Sequence, residues 1–111
     1  MYGTVARLRV KPGGAADLAA ITSTYEELGV PGFVASHLYQ ADADPDELWM
    51  SVIFVDRESY RLNAEDPAQD VRYREMRALL LADPEWHDGH IISTAGTGAT
   101  TGGPGAAGGG F

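Results

Sequence analysis

The chain contains no cysteine and a single lysine, Lys11, among its 111 residues. The first absence excludes disulfides, thiolate metal sites and thiol nucleophiles, and leaves the redox state of the compartment without a signature. Basic residues number 8 against 16 acidic ones, a formal net charge of -8. A surface of that sign repels phosphate, so sequence-independent binding to nucleic acid or to an anionic membrane is not expected; both need dense Lys and Arg. No apolar run approaches the roughly 20 residues of a membrane span, and no basic segment followed by an apolar one opens the chain. A cytoplasmic protein is therefore expected. What is present is an ordinary globular composition, 44% hydrophobic, in a length that fits one domain with one core.

Composition changes sharply after Thr94. The segment "AGTGATTGGPGAAGGGF" has no charge and no hydrophobic period, so it cannot bury enough surface to offset the entropy of ordering. The reading is a folded domain over 1–94 and a flexible Gly/Ala/Thr-rich tail over 95–111.

Within the domain, apolar periods of two and of three to four residues alternate. "YGTVARLRV" (2–10) is a strand with Thr4, Ala6, Leu8 and Val10 on one face and Gly3, Val5, Arg7 and Arg9 on the other. "KPGG" breaks it. Leu18, Ile21, Tyr25 and Leu28 then recur at helical spacing until Gly29 and Pro31 end that helix. "GFVASHLYQ" (32–40) and "LWMSVIFV" (48–55) are strands joined by an acidic loop too short for a crossover helix, so they pair antiparallel. Asp56 is an N-cap for a short helix containing Tyr60, and "DPAQ" (66–69) caps a longer one that places Tyr73, Met76 and Leu80 on one stripe. "DP" at 83–84 stops this helix, and "WHDGHIIST" is the last strand.

The order β-α-β-β-α-β predicts an α+β, ferredoxin-like fold with a four-stranded antiparallel sheet. Its strands are apolar on both faces: Val34 and Leu38 oppose Phe33, Ala35 and Tyr39, while Met50, Val52 and Phe54 oppose Trp49, Ile53 and Val55. Helices cover only one face of such a sheet. The most economical cover for the other is the same face of a second copy, giving a homodimer.

The stretch "DPEWHDGHII" (83–92) gathers two histidines and three carboxylates beside a tryptophan. On a strand, His87 and His90 are three apart and point to opposite faces, so one metal ion does not take both; Trp86 serves packing at the start of the strand, and no metal site is expected. The acidic loop "DADPDE" (42–47) lacks the turn glycine of a calcium loop and has Ile53 where the bidentate Glu belongs.

His37 lies mid-strand on the face of Phe33, Ala35 and Tyr39. In a symmetric hairpin it stands across from Ser51, with Tyr39 across from Trp49. Two readings stay open for it: a core or interface histidine bonded to Ser51, or a general base, which imidazole suits near neutral pH. Arg7 and Arg9 share a face of a central strand, where a guanidinium needs an anion. That anion is a carboxylate of the chain, a dimer mate or a ligand.

The strand ending in "FVDRESY", the helix carrying "LNAEDPAQDVRYREMRALL" and the closing "DPEWHDGHI" together resemble the antibiotic biosynthesis monooxygenase type of dimeric α/β barrel, over residues 1–94. The resemblance implies two ferredoxin-like subunits paired sheet to sheet, with a ligand cleft in each between sheet and helices. It also implies a cofactor-independent monooxygenase acting with O2 on a phenolic or polyketide-like aromatic. His37 is then the base, Arg7 and Asn63 partner the substrate's oxygen anion, Trp49 and Tyr73 form the walls, and Tyr39 and Ser51 line the same site. Asn63 and Tyr73 match residue types that the family uses to bind substrate, although this helix has no Trp, and Tyr60 is read as core. The heme-degrading branch is disfavoured: the first strand has no Asn, and the helices have neither His nor Trp. The alternative to an enzyme is a dimeric barrel that binds or scaffolds without chemistry of its own.

Overall fold

In a computed structural model that describes residues 1–96, the elements follow the order β1 (Tyr2–Arg9), α1 (Ala15–Ser23), a 3-10 turn (Tyr25–Leu28), β2 (Phe33–Gln40), β3 (Glu47–Phe54), α2 (Arg57–Glu65), α3 (Pro67–Arg77) and β4 (Glu85–His90). Almost all of the expected tail lies outside the described residues. The strands form one antiparallel sheet in the order β2-β3-β1-β4. This is the expected ferredoxin-like α+β arrangement, with β1 in the interior of the sheet.

Alternation along β1 sorts its side chains as the sequence implied. Thr4, Ala6, Leu8 and Val10 are buried beneath the helices, whereas Val5 is exposed and Arg7 and Arg9 are partly so. Leu48, Met50 and Phe54 of β3 join them, and Leu18 from α1 and Met76 from α3 close the core from the other side. Each large side chain removed from water in this layer contributes about 1.5–3 kcal/mol. The hairpin register is the symmetric one, with His37 opposite Ser51 and Tyr39 opposite Trp49.

Both expected caps are in place. Asp56 Oδ1 accepts from the Ser59 amide, and Asp66 Oδ1 accepts from the Ala68 amide, with Pro67 in the first turn of α3 where its missing N–H costs nothing.

Three expectations need correction. The first helix does not run on to Leu28. Thr22, Ser23 and Thr24 turn their hydroxyls back onto the carbonyls of Leu18, Ala20 and Ile21, and this competition ends α1 at Ser23 and leaves a 3-10 turn that stops at Gly29 with φ 63°. Likewise α3 ends at Arg77, and Leu80 pairs by backbone with Val10 instead of extending the helical stripe. Phe33 does not share a face with His37. A one-residue register shift between Phe33 and Ala35 inserts Val34 as an extra residue, so Phe33 turns to the helix side and packs against Phe54 and Tyr25.

Candidate active site

The helix side of the sheet is not filled completely. Between β1, β3 and β4 below and α1, α2 and α3 above lies a cleft of about 630 Å³. Its apolar walls come from Met50, Val52 and Phe54 of the sheet and from Ile21, Tyr73 and Trp86 at its sides. The Tyr73 and Trp86 rings stand 6.5 Å apart at 45°, which makes an aromatic flank between α3 and the start of β4. Trp86 therefore meets the preceding helix, as expected, yet is 43% exposed and faces the cleft.

Two polar clusters interrupt the apolar lining. The first joins the 3-10 turn to α2 and α3. Asn63 Nδ2 donates to the Tyr25 hydroxyl at 2.7 Å, Tyr25 donates to Gln69 Oε1 at 3.3 Å, and Arg72 Nε donates to the same oxygen at 3.0 Å. The Arg72 guanidinium also lies 5.5 Å from the centre of the Tyr25 ring and 3.5 Å from Asn63 Oδ1. Among the described residues, this leaves the second amide hydrogen of Asn63 and the NH1 group of Arg72 unused. Burial pushes the Tyr25 phenol up, against the opposing pull of Asn63 and Arg72. It is thus a neutral donor and acceptor, not a base.

The second cluster lies on the sheet floor. Thr4 and Asp88 face each other across the β1–β4 pair, and the Tyr60 hydroxyl of α2 donates to Asp88 Oδ1 at 2.9 Å. The Tyr60 ring is wedged edge-on between Tyr2 and Phe54, with centroids at 5.2 and 5.7 Å. Burial and then the Asp88 carboxylate push its phenol well above the ordinary tyrosine range.

The residues predicted for one site divide between the two faces of the sheet. Asn63 and Tyr73 line the cleft. His37, Tyr39, Trp49, Ser51 and Arg7 project from the opposite, helix-free face, in register with one another. His37 is exposed there, its Nδ1 3.4 Å from Ser51 Oγ. Arg7 is held by Glu47 at 2.9 and 2.5 Å and by Glu85 at 3.2 Å, and Arg9 by Asp44 at 2.5 Å. The physical reason is strict alternation: His37 and Ser36 cannot look the same way, and it is Ser36 that lines the cleft. Opposite faces also separate His87, paired with Val5, from His90, whose ring packs edge-on against Tyr2 at 4.9 Å. Among the described residues no group of three His, Asp or Glu is arranged to hold a metal ion, and no helix is long and apolar enough to cross a membrane.

Tyr25, Gln69, Arg72, Thr4 and Asp88 were not singled out from the sequence as parts of a site. One signal was available. Trp86 and Asp88 are two apart on a strand, hence on one face, and β1 pairing puts that face over Ala6 and Thr4.

Comparison with known proteins agrees with this architecture. No curated protein matches the chain. A candidate antibiotic biosynthesis monooxygenase from Chloroflexus aurantiacus J-10-fl is 25% identical, with a TM-score of 0.71 over 86% of this chain and 96% of that one. A variant of SnoaB, a cofactor-independent oxygenase from Streptomyces nogalater, superposes with a TM-score of 0.72 at 19% identity, over 84% of this chain and 94% of that one. A conserved protein from Methanosarcina mazei Go1 gives 0.69 at 19% identity, over 80% and 90%. The family profile for antibiotic biosynthesis monooxygenases matches residues 1–64, from β1 to the end of the α2 turn that carries Tyr60 and Asn63. On that match, and with the sheet order and the helix-covered cleft already described, the chain belongs to the antibiotic biosynthesis monooxygenase family.

Proposed function

We propose that the protein is a cofactor-independent monooxygenase that takes a phenolic or polyketide-like aromatic molecule into the helix-side cleft and works as a homodimer. The observation that carries the reading is an apolar, aromatic-flanked cleft large enough for a polycyclic ligand, in which Asn63 and Arg72 present unused donors. A substrate of this class loses a proton to give an electron-rich anion. That anion reduces dioxygen directly: a C–O bond forms, the peroxide takes up a proton, and loss of water leaves a carbonyl. One oxygen atom stays in the product and the other leaves as water, so substrate and O2 balance without a further reductant. The protein has to bind, exclude water and stabilise the anion. Asn63 and Arg72 take the anionic oxygen, with Tyr25 fixing both, and Tyr73 and Trp86 hold the ring plane. SnoaB, named as a cofactor-independent oxygenase, supports this reading by its fold.

His37, Tyr39, Trp49 and Ser51 then serve the helix-free face, which a second copy covers. Val5 and Val55 on that face are 46% and 53% exposed and Tyr39 is 68% exposed, surface that a lone subunit leaves in water. Aerobic incubation with a panel of phenolic polycyclic compounds, followed by oxygen uptake, tests the activity. Saturable quenching of Trp86 fluorescence in a Trp49→Phe background tests the cleft. Ligand binding without oxygen uptake across the panel would identify a non-catalytic binding barrel, and absence of both would sink the reading.

A further inference from the structure

The floor of the cleft runs across the strands, from Trp86 and Asp88 on β4, over Thr4 on β1 and Val52 on β3, to Ser36 on β2. Three inter-strand spacings make this about 14 Å. At the β4 margin the exposed Trp86 leaves the cleft open to solvent. The β2 margin is different. There the Tyr25 ring stands against Phe33 of β2 with centroids 4.9 Å apart, and the Arg72 guanidinium lies 5.5 Å from its centre. Its hydroxyl is tied to both helices above, to Asn63 of α2 and to Gln69 of α3.

Beyond Tyr25 lies a second hollow of about 350 Å³, with apolar walls from Leu28, Val30, Pro31 and Leu62. Leu28, Asn63 and Arg72 line both spaces, whereas Tyr25 lines only the larger one. The partition is therefore one layer of side chains, and its bulk is the Tyr25 ring. Without that ring the cleft would continue into a space that suits an apolar arm.

We propose that Tyr25 is the end stop of the cleft, the residue that selects ligands by what they carry next to the oxygen presented to Asn63 and Arg72. The inference rests on the oxygenase reading for the place of that oxygen and adds a selection by shape. A ring system anchored there has its oxygen at the partition. A substituent on the neighbouring carbon then meets the Tyr25 ring, while one on the distal ring points along the cleft toward Trp86 and the open margin. Admitting the first means moving a half-buried phenol off two hydrogen bonds and off Phe33, a cost that the second never meets. The hydrogen bonds hold the stop in place, and the ring does the excluding. A Tyr25 that only filled space would cost stability when truncated and would leave the preference between two such isomers alone.

The test uses naphthol and two hexyl naphthols of equal hydrophobicity, one with the chain on the carbon beside the hydroxyl and one with it on the distal ring, titrated into the full-length protein by calorimetry. Wild type should bind the distal isomer about tenfold or more tighter than the proximal one. Tyr25→Ala should abolish that ratio by gaining affinity for the proximal isomer. Tyr25→Leu, which keeps an apolar contact with Phe33, should move it in the same direction and serves if Tyr25→Ala does not fold. Tyr25→Phe should keep the wild-type ratio although oxygen uptake falls. Leu62→Phe, added to Tyr25→Ala to refill the hollow from its outer wall, should bring the preference back. Equal or reversed affinities in wild type, a ratio unchanged by truncation of Tyr25, or no restoration by Leu62→Phe would overturn the stop, and oxygen uptake across the phenolic panel would then leave the oxygenase reading standing. Failure of all three naphthols to bind wild type would overturn both.

Discussion

The two faces of this sheet are built from alternate residues of the same strands and differ in every respect that matters for chemistry. On the helix side, Ala6, Leu8 and Phe54 are 0% exposed, and the polar groups among them are few and placed: Thr4, Ser36 and Asp88 from the sheet, Tyr60 and Asn63 from above. On the other side, Val5, Tyr39 and Val55 are about half exposed or more, and the charged groups are already spent on one another in the Arg7–Glu47–Glu85 and Arg9–Asp44 pairs. A histidine between aromatics looks catalytic in a linear sequence; its face decides whether it meets substrate or a neighbour. Hydrophobicity does not tell the faces apart, since both are apolar. The helices do.

The contrast can be broken most heavily at the core. Phe54→Ala removes a fully buried ring from the helix side and is expected to destabilise the subunit by about 3–5 kcal/mol, measured by urea unfolding, whereas Trp49→Ala, five residues earlier on the other face, should cost the isolated subunit far less. Equal losses would mean that the two faces are not distinct environments. Next in size is the effect on turnover. Asn63→Ala removes an amide donor aimed at the cleft and should lower kcat by about 10²–10³, while His37→Ala should leave kcat close to wild type. The opposite ranking would move the site to the helix-free face. A smaller but sharper test is Ile53→Asp, which puts a charge into the apolar part of that face and should weaken association by about 2 kcal/mol or more, read as a concentration-dependent shift from dimer to monomer by light scattering. A wild type that is monomeric at micromolar concentration would remove the second copy altogether.

The smallest predicted effect is at alkaline pH. Burial raises the phenol pKa of both Tyr25 and Tyr60 in the folded state. Above the ordinary tyrosine value of about 10, the unfolded chain therefore loses protons that the folded one keeps, and stability falls as pH rises further. Tyr60→Phe removes its share, so its melting temperature should decline less steeply than that of wild type above this point. Parallel slopes would show that Tyr60 is not held neutral by the fold.

Much of this architecture was legible in the residues. Alternation in β1, the Asp56 and Asp66 caps, the register that sets His37 against Ser51 and the divergence of His87 and His90 all follow from local rules, because each depends on neighbours within a few positions or on one hairpin. The candidate site was legible only in part. Asn63 and Tyr73 could be placed by resemblance, but Tyr25 meets Asn63 only through the packing of a 3-10 turn on α2, across a separation of 38 residues that no period encodes. The extra residue Val34 carries no local sign either, and without it Phe33 and His37 look like neighbours on one face. Which side the helices take, finally, is a property of the chain's handed connections, and it decided the fate of His37, Trp49 and Arg7.

That extra residue has a consequence for how copies of the protein can meet. It sits on β2, one margin of the sheet, while the other margin, β4, is only six residues long and carries Glu85 and Asp88. A kinked border on one flank and a short acidic one on the other give an incoming strand little to hydrogen-bond along. Lateral growth into extended ribbons is thereby discouraged even in a concentrated solution. In the dimer we propose, association uses the broad side of the sheet instead, a pairing that closes after one partner.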